Sequence, residues 1–103
     1  LTRGEAFTAL VASNDDMASG AIRQLHVSGV ATPGAVSVIG FDDVAIAPYI
    51  VPSLSSVRIP VTEMIQETIS RLIFMLDGGE FKYQQTFSGE LVLRDSVIDG
   101  PHR

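Results

Sequence analysis

The chain has 103 residues, 46% hydrophobic and 18% charged, which suits one domain with a modest core and excludes a disordered segment. The formal net charge is −5, with a single lysine, Lys82, and arginines scattered from Arg3 to Arg103, so this piece lacks the clustered positive charge that phosphate binding needs. Cysteine is absent, which rules out a disulfide framework, a thiolate metal site and a cysteine nucleophile, and fits a reducing cytoplasm; Pro48, Pro52 and Pro60 interrupt the longest apolar stretches, so none reads as a membrane span.

The chain opens on Leu1, and the apolar Phe7 starts a strand pattern within a few residues, so a fragment or a processed chain is expected. The run over residues 7–12 ends abruptly in Ser13-Asn14-Asp15-Asp16, as a short buried strand bounded by turn-forming residues would. Residues 15–28 then read as an amphipathic helix. Ser13 or Asn14 suits the N-cap, Asp15 and Asp16 complement the helix dipole, and Gly29 suits the position just past the end. Met17, Ala21, Ile22 and Leu25 form its apolar stripe, and Ala18, Ser19 and Gly20 are small enough to let another backbone approach.

After the turn Thr32-Pro33-Gly34, a second apolar run over residues 36–41 ends in Asp42-Asp43. Strand, helix and strand make a βαβ unit with parallel strands, so the fold class is α/β with a parallel sheet and flanking helices. Residues 44–47 read as a helical turn stopped by Pro48, and Tyr49-Ile50-Val51 is apolar enough to require either the core or a partner. Residues 55–59 read as a short β segment. A long helix follows over residues 61–76, its Val61, Met64, Ile65, Ile69, Leu72, Ile73 and Leu76 keeping the 3.6 period, Glu67 and Arg71 pairing at i, i+4, and Gly78-Gly79 ending it. Beyond the polar loop 80–85, Phe87, Gly89, Leu91 and Leu93 alternate as the buried face of a last strand.

Two parallel strands deliver their carboxyl ends to one sheet edge, which is where open α/β sheets bind ligands. Asp15, Asp16 and Asp43 are accounted for as caps and turn starters. Asn14 offers both a donor and an acceptor, and the Asp42 carboxylate, directly after an apolar strand, suits paired hydrogen bonds from vicinal hydroxyls. Together they would read a sugar. His26 and His102 read as solvated or helix-end residues; Ser53, Ser55 and Ser56 lack a nucleophile-elbow pattern and read as loop and strand-edge residues. No cofactor or metal site is expected.

The stretches Ala12-Ser13-Asn14-Asp15-Asp16-Met17-Ala18, Val36-Ser37-Val38-Ile39-Gly40-Phe41-Asp42-Asp43, Pro60-Val61 and Leu91-Val92-Leu93-Arg94-Asp95-Ser96 resemble the lactose/galactose repressor family over about the whole chain. The resemblance implies the C-terminal portion of a two-lobed, periplasmic-binding-protein-like effector domain, covering residues 1–103, with the helix at 61–77 crossing into the other lobe. It implies a non-enzymatic, cytoplasmic sensor whose effector is a sugar, a β-glucoside or a relative, and whose operator DNA is met only through an N-terminal headpiece that this chain lacks. Asn14 and Asp42 match family effector contacts, with Asp15 as a further contact. Ala18, Ser19, Ile22, Tyr49 and Ile50 match positions of a homodimer interface in the C-terminal lobe. Arg94 and Ser96 match a terminal signature whose role reads as structural. Some relatives carry an aromatic near Val61 for stacking on the sugar; here that position is aliphatic. Two rivals share the architecture. A periplasmic sugar-binding protein of a transporter would be distinguished by the residues upstream of Leu1. A phosphoacceptor receiver domain needs a lysine after a late apolar strand, whereas Lys82 lies in a polar loop.

Overall fold

The computed structural model describes residues 6–80 and 85–100, so Lys82 and His102 fall outside the described residues. The chain divides into two compact units, one from residues 1–58 and 91–103, the other from residues 59–90.

In the first unit, strand β1 (Ala9–Val11) leads into helix α1 (Asp15–Val27) and returns as strand β2 (Ser37–Ile39). β1 and β2 pair in parallel with Ala9 opposite Ser37 and Val11 opposite Ile39. Parallel pairing continues past β2 through the Ile39–Ser55 bridge. Strand β3 (Ser56–Arg58) then neighbours strand β4 (Glu90–Val92). The ladder is therefore the expected α/β arrangement, but its strands are shorter than the apolar runs that announce them. Parallel sheets are ordinarily covered on both faces. Here Val11 and Phe7 are exposed, so β1 is not the buried strand that its composition suggests.

α1 begins where Asn14, in extended conformation, accepts a hydrogen bond on its side-chain oxygen from the Met17 N–H at 2.8 Å. It ends in a Schellman motif: Gly29, at φ +77°, donates to the His26 carbonyl, and Val30 donates to that of Leu25. The buried stripe is Asp15, Ala18, Ile22 and Leu25, so the helix is rotated from the expected Met17-centred face and Met17 lies exposed. The reason lies at β2. A Cβ at Gly40 would fall on the Asp15 carboxylate and within 3.2 Å of the Ala18 Cβ, so Gly40 and Ala18 are where the helix closes onto the sheet. Gly20 has open space around it.

The core joins Ala18, Ile22 and Leu25 of α1 to Val36, Val38, Ala47 and Leu54, with Leu10, Val30, Val44 and Ile50 packed against them. Pro48 does not stop a helical turn; it sits inside one, the 3₁₀ turn Ala47–Tyr49, where its fixed φ suits the first positions and its missing N–H costs nothing. Ser55 and Ser56 are fully buried rather than edge residues. Each is hydrogen-bonded: Ser55 Oγ accepts from the Arg94 N–H and Ser56 Oγ donates to the Asp15 carboxylate, both at 2.7 Å, while Ser96 Oγ accepts from the Ser55 N–H and donates to the Val38 carbonyl. Arg94 and Ser96 thereby stitch the segment after β4 onto β2 and the residues leading into β3. This also reverses the expected parity of the last strand. Ser96 is buried and Val92 and Arg94 are half-buried, while Leu91 and Leu93 are exposed, because satisfying buried carbonyls outranks burying that apolar row.

The second unit is built around helix α2 (Val61–Leu76), which follows Pro60 without a side-chain cap. Its C-terminus repeats the Schellman motif, Gly78 (φ +91°) donating to the Met75 carbonyl and Gly79 to that of Phe74. Glu67 and Arg71 form the expected pair at 2.8 Å. None of the residues of α2 is buried. No helix among the described residues is long and apolar enough to cross a membrane.

Candidate functional site

The sheet edge holding Asn14 and Asp42 follows from the parallel register. The Ala12 N–H donates to the Ile39 carbonyl and the Asp15 N–H to the Phe41 carbonyl, so the turn after β1 lies against the turn after β2. Asn14 is half-buried. Its carboxamide oxygen is used in capping α1, which leaves its NH₂ as the remaining donor.

The four acids at this edge have different fates. Asp15 is 0% exposed, and both its oxygens are occupied: Oδ1 accepts from the Ser56 hydroxyl at 2.7 Å, Oδ2 from the Val44 N–H at 2.8 Å. It links the start of α1 to β3 and to the loop after β2, with no oxygen directed at a ligand. Asp16 is exposed in the first turn of α1, as a dipole-favoured acid would be. The Asp43 side chain is only 7% exposed and is gripped from two sides, by Arg58 Nε and Arg94 Nη2, each at 2.8 Å. Burial by itself would raise its pKa, but the hydrogen bonds and charges of the two guanidinium groups outweigh that and hold it below its ordinary value. Asp42 is exposed, and its backbone sits at φ +112°.

The loop that presents Asp42 is held by successive backbone donors. Asp42 N–H donates to the Val57 carbonyl, Asp43 N–H to the Ser56 hydroxyl, and Val44 N–H to Asp15. Ser56 is therefore pivotal, accepting from the loop while donating to Asp15. The sequence reads Ser56 as a strand-edge residue, and the one signal of another role is the pair of serines that opens the β segment 55–59. An exposed carboxylate at the strand end is the kind of acceptor that takes strong, charge-assisted hydrogen bonds.

The remaining candidates separate by burial. Ala18 and Ile22 are in the core, so their side chains do not reach the surface. Ser19 is half-buried and donates to the Asp15 carbonyl at 2.9 Å; Ile50 is half-buried against the core. Tyr49 is 77% exposed and Val51 88%. His26 is exposed in the last turn of α1. Within the second unit, an apolar groove of about 340 Å³ runs along α2 beside Met64, Ile65 and Ile69. The hydroxyl among its lining residues, that of Thr68, already donates to the Met64 carbonyl, so the groove is a packing face and not a sugar subsite. Among the described residues no cluster of three or more acids or histidines is arranged to hold a metal.

Residues 2–97 match the periplasmic binding protein-like domain. The chain is 71% identical over 98 residues to the HTH-type transcriptional regulator AscG of Escherichia coli (strain K12), a match covering 95% of this chain and 29% of that protein. Among solved structures it superimposes with a TM-score of 0.84 and 71% identity on a sugar-binding transcriptional regulator of the LacI family from Escherichia coli complexed with phosphate, over 94% of this chain and 35% of that one. It superimposes with a TM-score of 0.88 and 28% identity on the lac repressor dimer bound to operator and the anti-inducer ONPF, over 95% of this chain and 34% of that one. The chain thus spans about a third of the length of these relatives. It belongs to the periplasmic-binding-protein-like domains and, among them, to the lactose/galactose repressor family.

Proposed function

We propose that this chain is the effector-binding and dimerising part of a sugar-responsive bacterial transcriptional repressor, a non-enzymatic cytoplasmic sensor whose inducer is a β-glucoside or a related sugar. The observation that carries the reading is Asp42. Its carboxylate stands exposed at the end of β2 while the neighbouring Asp15 and Asp43 are consumed inside the fold. Asp42 accepts hydrogen bonds from vicinal hydroxyls, and the NH₂ of Asn14 donates to a further sugar oxygen. Asp15 positions the two turns. One wall of a pocket is present here, and the other belongs to the opposite lobe of the intact protein.

α2 crosses into that lobe, a role supported by its unburied apolar face. Dimerisation uses the exposed Tyr49, with Ser19 and Ile50 beside the core, while Ala18 and Ile22 support that surface from beneath. Operator DNA is contacted through a headpiece outside this chain, in keeping with the net charge of −5 here. Sugar binding between lobes shifts their relative orientation and with it the spacing of the two headpieces in the dimer. In the intact protein, Asp42→Ala is expected to abolish induction of a reporter by an aryl-β-glucoside while operator binding persists. Normal induction at wild-type sugar concentration would refute the assignment of Asp42.

A further inference from the structure

Asp42 and Asp43 are consecutive non-glycine residues at positive φ, +112° and +55°. Aspartate tolerates the left-handed well near +57°, but +112° lies well outside it, and such backbone persists only where the surroundings over-determine it. The Asp42 side chain contributes nothing to that, since among the described residues its carboxylate has no hydrogen bond or ion pair. Beside the backbone bonds from Asp42 N–H to the Val57 carbonyl and from Asp43 N–H to the Ser56 hydroxyl, the side chain of the next residue is itself anchored. The Asp43 carboxylate lies between Arg58 Nε and Arg94 Nη2, at 2.8 Å from each. Arg94 is itself anchored to the core: its Nη1 donates to the carbonyl of fully buried Leu54 at 2.6 Å, and its N–H donates to buried Ser55. Asp43 therefore cannot turn toward a ligand, yet it fixes the backbone from which Asp42 projects.

We propose that Asp43, clamped between Arg58 and Arg94, is a positioning residue that holds Asp42 in its strained backbone conformation and so presents the Asp42 carboxylate at the sheet edge. The ligand side of this inference rests on the function proposed above; the backbone side does not. Glycine adopts φ +112° without strain. In ligand-free urea denaturation of the intact protein, Asp43→Asn should lower the midpoint, and it should do so by less than half as much in an Asp42→Gly background. Equal losses in the two backgrounds would overturn the clamp and leave Asp43 an ordinary ion pair. Should Asp43→Asn not fold, Arg94→Lys, which keeps the charge but loses the planar fork, serves in the same cycle.

Calorimetric titration with salicin, an aryl-β-glucoside, reads the ligand side, with Asp43→Asn expected to weaken binding at least tenfold and Asp42→Asn at least as much. If Asp42→Asn loses binding while Asp43→Asn keeps wild-type affinity, the positioning role is overturned and the sugar reading stands. If Asp42→Asn binds normally, the sugar reading fails and the denaturation cycle still decides the clamp.

Discussion

α1 and α2 are built alike and buried differently. Both carry an apolar stripe at helical spacing, and both end in the same glycine-based Schellman motif. α1 buries Ala18, Ile22 and Leu25 against β2 and its neighbours, whereas α2, the more apolar in sequence, buries none of its residues. The difference teaches that amphipathic periodicity is enough to specify a helix and its ends but does not say what covers its face. α1 finds its cover within its own unit because the strands on either side of it return to one sheet. The lobe-crossing proposal assigns the cover of α2 to the rest of the intact protein.

Core truncations test this contrast with the largest effects. Leu54→Ala, at a fully buried position, is expected to cost about 2–5 kcal/mol in chemical denaturation of the intact protein. Ile69→Ala on α2 is expected to cost about as much, if α2 is covered by the other lobe. A loss below about 1 kcal/mol for Ile69→Ala, in the range of unburied surface sites, would leave the helix face solvent-exposed and sink the lobe-crossing proposal.

The helix ends should behave alike despite the unlike faces, because a left-handed glycine is a local requirement. Gly29→Ala and Gly78→Ala force a Cβ into φ +77° and +91°, and each is expected to cost roughly 1 kcal/mol. Unequal costs, measured by urea denaturation, would show that tertiary context reaches these caps after all.

The smallest effect is electrostatic and confined to the first unit. The folded pKa of Asp43 lies below its ordinary value near 3.8, so the folded state binds this proton less readily than the unfolded one. The stability it contributes is thus fully present above about pH 3.8 and is lost as pH falls through the lower folded value. Stability curves of wild type and Asp43→Asn should therefore converge as the pH falls below that window. A gap that stays constant with pH would mean that the pairing with Arg58 and Arg94 is absent in solution.

Much of the sheet edge was legible from residue types in order. An apolar run followed by an amide or a carboxylate placed Asn14 and Asp42 at adjacent strand ends, since parallel pairing leaves no other edge for them. The roles of Asp15 and Asp43 were not legible. Both look like helix caps or turn starters, and only contacts across 29 to 41 residues of sequence make Asp15 the partner of Val44 and Ser56. Ser56 was misread for the same reason, as a hydroxyl is equally at home on a strand edge and in a buried network. Leu91 and Leu93 misled in the other direction. Their alternation marks a strand but not which of its faces is inward, and here Ser96 and Arg94 take the inward positions.

The sequence by itself determined the βαβ order, the two helices with their glycine ends, and the placement of Asn14 and Asp42 after adjacent parallel strands, because these depend on local periodicity, backbone preference and chain direction. Tertiary structure decided which acids are spent in the fold, which stripe of α1 is buried, and the positive-φ backbone of Asp42. Those outcomes depend on desolvation and on hydrogen-bond partners brought together from distant parts of the chain, and no local pattern encodes which partner will arrive.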